Sequence, residues 1–301
     1  MSSLTALIKR NIKLFFKDKG MFITSLITPI ILLVLYVTFL GTIYRDSFAT
    51  ALPKGFTVPD QLIAGTVGGE LFSSLLAVCC ITVAFCSNLL AVQDKVTGAR
   101  RDLLMTPVSR PVLGISYYIA TFIVTLIICF AATGACFFYL WKVGWYLSAD
   151  DVLMLILDVM ILVLFGTALS SIINYFLSTQ GQISAVGSIV SAGYGFICGA
   201  YMPISSFGEG MQKALSFLPG TYGTALIRNH AMRGAFDEMA DRGIPKEVIE
   251  GIKDGVDCNL YFSGDKVSMT AMFVIVAGSA VVLMAVYVLI NILGSRKAQV
   301  K

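Results

Sequence analysis

Residues 93–110 read QDKVTGARRDLLMTPVSR, and the arrangement of the whole chain follows from them. Lys95, Arg100, Arg101 and Arg110 stand there with Asp94 and Asp102, between two segments that are almost entirely hydrocarbon. A charged hairpin between long apolar segments must reach water, and its excess of Lys and Arg places it on the cytoplasmic side of a membrane. Composition agrees. Of 301 residues, 57% are hydrophobic and 13% charged, about half the charge of a soluble domain, and mean hydropathy is +0.83. The chain is therefore a multi-pass membrane protein. A net charge of +4 is too small for a nucleic-acid partner, so the basic residues serve topology instead.

Outward from the hairpin, apolar runs long enough to span a bilayer are expected at about 22–43, 62–91, 112–140, 152–177, 183–202 and 267–293. The first contains Pro29, which would bend it. The second opens on GTVGGE and carries Glu70. Trp141, Trp145 and Tyr146 close the third as an interfacial belt. Asp158 lies in the fourth, seven residues past Asp151, or about 10 Å deep. In the fifth, Gly187, Ser191, Gly195 and Gly199 form a small-residue stripe suited to close helix packing. Ahead of all six, residues 1–20 form a basic amphipathic helix. Leu7, Ile8, Ile12, Leu14 and Phe15 share one side, with Lys9, Arg10, Lys13 and Lys17 on the other, directed to lipid headgroups. Residues 44–61 read as a polar loop with Pro53, Gly55 and Pro59. Residues 203–266 form the largest polar segment, with a short helix from Pro245 that has Val248, Ile249 and Ile252 on one face.

Six spans put both termini on one side. With that side inside, twelve Lys and Arg fall in short inner segments and ten outside, seven of the ten in the long 203–266 segment. Long loops weigh little in this rule, so both termini are expected in the cytoplasm.

No phosphate-cradling GxxxxGK[ST] loop is present in the sequence, so ATP hydrolysis is not expected of this chain. The one histidine, His230, falls in the outer segment and reads as an ordinary loop residue. Cys79, Cys80, Cys86, Cys129, Cys136 and Cys198 sit in apolar runs as small hydrophobes. Only Cys258 lies in a polar region, and no Cys/His spacing suggests a metal. An acid within a span costs a few kcal/mol and is a functional hypothesis by default. The alternative is an acid paired with a Ser, Thr or backbone donor between helices, or one snorkelling outward; for Glu70 the weight is even between that and function, and for Asp158 it favours that alternative.

The ordering of a basic elbow helix, six spans and a charged hairpin between spans two and three resembles the permeases of the ABC-2-type exporter family. The hairpin itself carries Asp94, Gly98, Leu103, Leu104 and Thr106-Pro107-Val108-Ser109-Arg110, which fill that family's pattern. After span five, GAYMPISSFGEGMQKALSFLPGTYGTALIRN has Pro203, Pro219, Tyr222 and Arg228 where such permeases have Pro, Pro, Tyr and Arg. The chain departs from the pattern at Val96, where a second acid is usual, and in its long outer segment.

The resemblance implies an all-α membrane fold of the ABC-2, or type V exporter, kind. Its parts would be an elbow helix (1–20), a six-span domain (21–294) with a coupling helix at 93–110 and short re-entrant helices within 203–266, and a cytoplasmic tail (295–301). It also implies a multidrug-type exporter of the bacterial plasma membrane, working as a homo- or heterodimer with two ATPase subunits, identical or paralogous. ATP and Mg would be used by that partner, with no cofactor on this chain. Asp94, Lys95, Gly98, Arg100, Arg101, Asp102, Leu103, Leu104, Thr106, Pro107 and Arg110 would couple to the ATPase. Spans two and five would line the axis through Phe85, Asn88, Tyr194 and Phe196, with Glu70 near the outer gate. The expected cargo is an amphipathic drug, antibiotic or lipid-like molecule. A lipid-linked polysaccharide is the alternative within the family. Outside it stand a proton- or sodium-driven transporter, and a membrane scaffold or sensor that uses the 203–266 segment.

Overall fold

The computed structural model describes residues 3–51 and 58–297, with side chains over 3–50 and 58–293. The expected turn residues Pro53 and Gly55, the tail side chains and residues 298–301 lie outside these. The chain opens with α1 (Ser3–Lys17), whose apolar stripe buries Leu7, Asn11 and Phe15. Asp18 then caps α2 (Lys19–Leu35) by accepting from the Met21 N–H. The helix does not break at Pro29. It continues through a π-helical turn (Tyr36–Leu40) into α3 (Gly41–Ala51). The first span is thus longer than its apolar core, and residues 44–51 are helix rather than loop.

The second span is α4 (Asp60–Val96), a helix of 37 residues enclosed by its neighbours along nearly its whole length. Small residues make this possible. A Cβ at Gly69 would sit 3.0 Å from the Ala231 carbonyl oxygen, so the glycine brings a neighbouring backbone into contact. Next come α5 (Ala99–Leu104), α6 (Arg110–Val143) and α7 (Ala149–Phe176). A capping box, in which Ser148 and Asp151 exchange hydrogen bonds, starts α7. A second box, Thr179 with Gln182, starts α8 (Gln180–Ile197).

Five helices are long and apolar enough to cross a membrane: the continuous 19–50 helix, α4, α6, α7 and the last helix. The expected fifth span, α8, is not among them. It has 18 residues, about 27 Å at 1.5 Å per residue, and its glutamines, serines and glycines dilute the hydrocarbon. It also ends at Ile197, five residues before the expected limit. The small-residue stripe is only partly used for packing. Gly187 faces open space, and Gly199 lies beyond the helix at φ +73°.

The segment after α8 is far less loop-like than its polarity suggested. It holds α9 (Glu209–Ser216), α10 (Pro219–Asp241) and α11 (Lys246–Gly255), then a two-residue hairpin of β1 (Tyr261–Phe262) with β2 (Asp265–Lys266). The 23-residue α10 is no short surface helix. It packs against α4, α7 and α12 (Met269–Lys297). The helix expected from Pro245 is α11, with Ile249 and Ile252 buried in a cluster with Phe48, Phe236 and Cys258. Cys258, which the sequence placed in polar surroundings, is therefore a buried free thiol.

Glu250, on the outer side of α11, accepts from Lys266, Lys253 and Asn259. The Lys266 ammonium above all holds its carboxyl down at about 2. The unfolded chain takes up a proton near pH 4.5 and the folded chain only near 2. The stability from this cluster is therefore complete above about pH 4.5 and is lost as pH falls through 2. Hydrogen exchange of the 250–266 amides should be flat from pH 8 to 5, after correction for intrinsic rates, and accelerate toward pH 2. Glu250→Gln should abolish that acid limb.

Candidate functional site

The 93–110 hairpin is built by a left-handed residue and two buried charges. Gly98 adopts φ +88°, a conformation costly for any residue with a Cβ, and it turns the chain from α4 into α5. Asp94 is buried and accepts two hydrogen bonds from Arg10 of α1, at 2.7 and 3.2 Å, and one from the Tyr117 hydroxyl of α6. Lys95 donates to the carbonyls of Asn174, Tyr175 and Leu177 at 3.0, 2.7 and 3.0 Å. Those carbonyls close α7, where a helix leaves acceptors unsatisfied and its dipole favours a cation. Leu103, Leu104 and Val108 fold back onto a cluster of Leu7, Leu90, Leu113 and Tyr117.

These contacts divide the expected coupling residues, and Met105 among them in the hairpin, into two sets. Arg101, Asp102, Met105, Thr106, Pro107 and Arg110 are exposed, Met105 to 87%. Asp94, Lys95, Leu103 and Leu104 turn inward instead, because each finds a partner on α1, α6 or α7. Arg100 is half-buried beside Lys95 and Tyr287. In α1, Lys9, Lys13 and Lys17 are exposed as expected for a headgroup-facing edge. Arg10 departs from that edge, since its guanidinium is held by Asp94.

Four of the five expected path residues lie inside the subunit. Glu70 is 1% exposed and pairs with the equally buried Arg228 of α10 at 2.7 Å. Arg228 also donates to Ser74 and to the Gly199 carbonyl, and stands 3.8 Å from Asp257. Asp257 in turn accepts from the backbone N–H groups of Ile204 and Ser205. Asn88 donates to Ser170 and Ser171 of α7, while Phe85 and Tyr194 are core residues. The expected axis-facing side of α4 is thus occupied by its own subunit. Phe196 alone is exposed, to 50%.

His230 is not a loop residue. It lies in α10 and meets the buried Asp158 of α7 at 2.6 Å. One turn on, Arg233 pairs with Asp151. The pairing expected for Asp158 is therefore real, but through a histidine rather than a hydroxyl or backbone donor. Among the described residues no group of His, Cys, Asp and Glu is arranged to hold a metal ion.

Phe196 faces a cavity of about 860 Å³ between the α2–α3 helix, α8, the 201–206 turn and α11. A second cavity of about 500 Å³, between α2, α4 and α8, is lined by more polar groups, including Gln93, Gln180 and Ser184. Ser191 lies on the wall of both.

Comparison with known proteins places these features in context. The family model described as ABC-2 type transporter matches residues 2–230, from the elbow helix through the buried half of α10. No curated protein matches the chain.

Proposed function

The chain belongs to the ABC-2 type transporter family, and on that premise we propose that it is the permease subunit of an ATP-driven exporter of amphipathic molecules. The observation that carries this reading is the surface at 101–107. Arg101, Asp102 and Met105 project into water from a short helix that Asp94 and Lys95 brace from behind. An exposed Met flanked by charges offers a hydrophobic anchor with charge-assisted hydrogen bonds around it. The braces make the helix a rigid lever rather than a solvated loop.

A separate ATPase subunit, in two identical or paralogous copies, would dock there and supply ATP and Mg chemistry. Two permease subunits, identical or paralogous, would face each other across α8. That helix is too dilute in hydrocarbon to face lipid comfortably, yet it presents Ser188 and Ile189 outward. With α8, packed on α4, crossing as a sixth span, both termini lie in the cytoplasm, and the membrane is a plasma membrane of bacterial type. Glu70 and Asp158, on which gradient-driven transport would rest, are each paired within the subunit, which favours a fastening role for them. Lipid-linked polysaccharide remains the second substrate class to test.

The test is co-purification from native membranes. In the double variant Arg101→Glu/Met105→Glu both side chains are exposed, so folding should be unchanged. Recovery of a co-purifying ATPase should fall by about tenfold or more, the scale of losing a central interface anchor. Full recovery with the variant, or no ATPase with the wild type under mild extraction, would overturn the reading.

A further inference from the structure

Between α4, α5, α6, α7 and α12, on the hairpin side of the molecule, lies a small polar pocket that the contacts above do not account for. Asn174, third from the end of α7, is buried in its floor, and Lys95 and Arg100, both half-buried, stand at its mouth. The space open to the centre of a water molecule is only about 20 Å³. The pocket therefore takes one small polar group and not the body of an amphiphile.

Two observations identify that group. The Asn174 side chain is 2% exposed, yet neither its Nδ2 nor its Oδ1 has a partner among the described residues. A buried amide left without partners is costly. The second observation is charge. Arg100 makes no hydrogen bond or ion pair with any described residue, so its fork of donors is available. Lys95 gives its donors to the last carbonyls of α7, which carry no full charge to neutralise it. Asp94, next to it in the chain, is turned away toward Arg10 and Tyr117. No Asp or Glu among the described residues lines the pocket. A water molecule would satisfy the amide but leave two cations side by side. An anion answers both needs, because Asn174 Nδ2 can donate to it while Oδ1 accepts from Arg100.

Position narrows the choice of anion. Lys95 is next to last in α4 and Leu113, in the pocket wall, is the fourth residue of α6. The pocket thus sits where the membrane helices end, at the level of lipid headgroups. The planar arginine fork matches phosphate, and basic pockets between helices at that level hold acidic headgroups. We propose that this pocket binds one phosphate group, presented by an acidic phospholipid of the membrane face that carries the hairpin. The phosphate bridges Arg100 of α5 to Asn174 of α7, with Lys95 supplying charge, and so fastens the first turn of α5 to the end of α7. The site does not rest on the permease reading above.

The test uses the full-length protein, delipidated in detergent and mixed with dioleoyl phosphatidylglycerol, dioleoyl phosphatidylcholine or inorganic phosphate. Native mass spectrometry counts the bound lipid, and thermal unfolding is followed in parallel. One phosphatidylglycerol per chain should be retained, about tenfold more tightly than phosphatidylcholine, and it should raise the unfolding temperature. Arg100→Gln and Asn174→Leu should each lower that affinity about tenfold and remove the thermal shift. Asn174→Leu deletes an unpartnered amide at similar volume, so it should fold without the lipid. Arg101 is exposed and lies outside the pocket. Arg101→Gln should therefore bind as the wild type does, which a diffuse attraction to surface charge would not allow.

Retention of several phosphatidylglycerols, reduced as much by Arg101→Gln as by the pocket variants, would overturn the site. If inorganic phosphate at millimolar concentration displaces the lipid and raises the unfolding temperature of the wild type but not of Asn174→Leu, the phosphate site stands and its source is the free ion. If neither lipid nor phosphate separates the wild type from the pocket variants, Asn174 bonds water only, and the proposal fails.

Discussion

Arg228→Met is expected to destabilise the protein by about 3–5 kcal/mol, the cost of breaking a buried ion pair from one side. Arg228 is 1% exposed and ties three segments to α10 at once: Glu70 and Ser74 of α4, the Gly199 carbonyl after α8, and Asp257 after α11. Without it the Glu70 carboxyl is buried with no counter-ion, and either keeping its charge there or taking up a proton costs free energy. Methionine matches much of the arginine volume, so a packing void is not the main loss. Arg228→Lys should recover only part of the stability, because a point charge with three donors cannot reproduce the planar fork. The sharper control is Arg228→Met/Glu70→Gln. Removing the orphaned charge should return a large share of the lost stability, whereas a purely steric role for Arg228 would leave the double variant no better than the single one. Thermal unfolding of the detergent-solubilised protein, followed by size-exclusion recovery, reads all three. A loss under about 1 kcal/mol for the single variant would show that Glu70 has another partner.

The cluster also shows where sequence reasoning reached and where it stopped. The N-terminal amphipathic helix, five of the six expected spans and the α11 helix follow from period and composition, since each depends on residues close in the chain. Glu70 and Asp158 were visible as intramembrane acids that need partners. Their partners, Arg228 and His230, lie 158 and 72 positions away on α10. That helix carries enough Gly, Thr and Asn in its first half to read as loop. What buries it is the small-residue surface of α4, a tertiary property with no local period. The same limit explains the hairpin. Charge density located it, but could not separate the residues that face water from the pair that face inward, because Asp94 and Lys95 are sorted by contacts with α1, α6 and α7. The cavity beside Phe196 was least legible of all. Its walls come from four segments, and although Ser191, Phe196, Pro203 and Ile252 were each noted in the sequence, nothing local brings them together.

Lys95→Met is expected to uncouple the transporter without dismantling it. Lys95 stands at the root of the α5 lever, and its three hydrogen bonds end on the last carbonyls of α7, immediately before the link to α8. Asp94 pins the same root to α1 and α6. A force on the exposed face of α5 therefore has two polar routes into the membrane, and the one through Lys95 ends immediately before α8, a wall of both cavities. Removing the ammonium leaves three carbonyls at a water-accessible boundary, so the stability loss should be about 1–2 kcal/mol, well short of that for Arg228. The docking face of Arg101, Asp102 and Met105 is untouched, so the ATPase should co-purify at the wild-type level and turn over ATP. Transport of amphiphile per ATP hydrolysed should fall by about tenfold or more, the result of losing about 1.4 kcal/mol of linkage. Lys95→Arg keeps the charge and donors and should retain most of the coupling, which a general loss of structure would not predict. If Lys95→Met lowers ATPase recovery in parallel with transport, the residue belongs to the docking surface after all. If transport per ATP is unchanged, the lever reaches α8 by the Asp94 route, and the same measurement on Asp94→Asn becomes decisive.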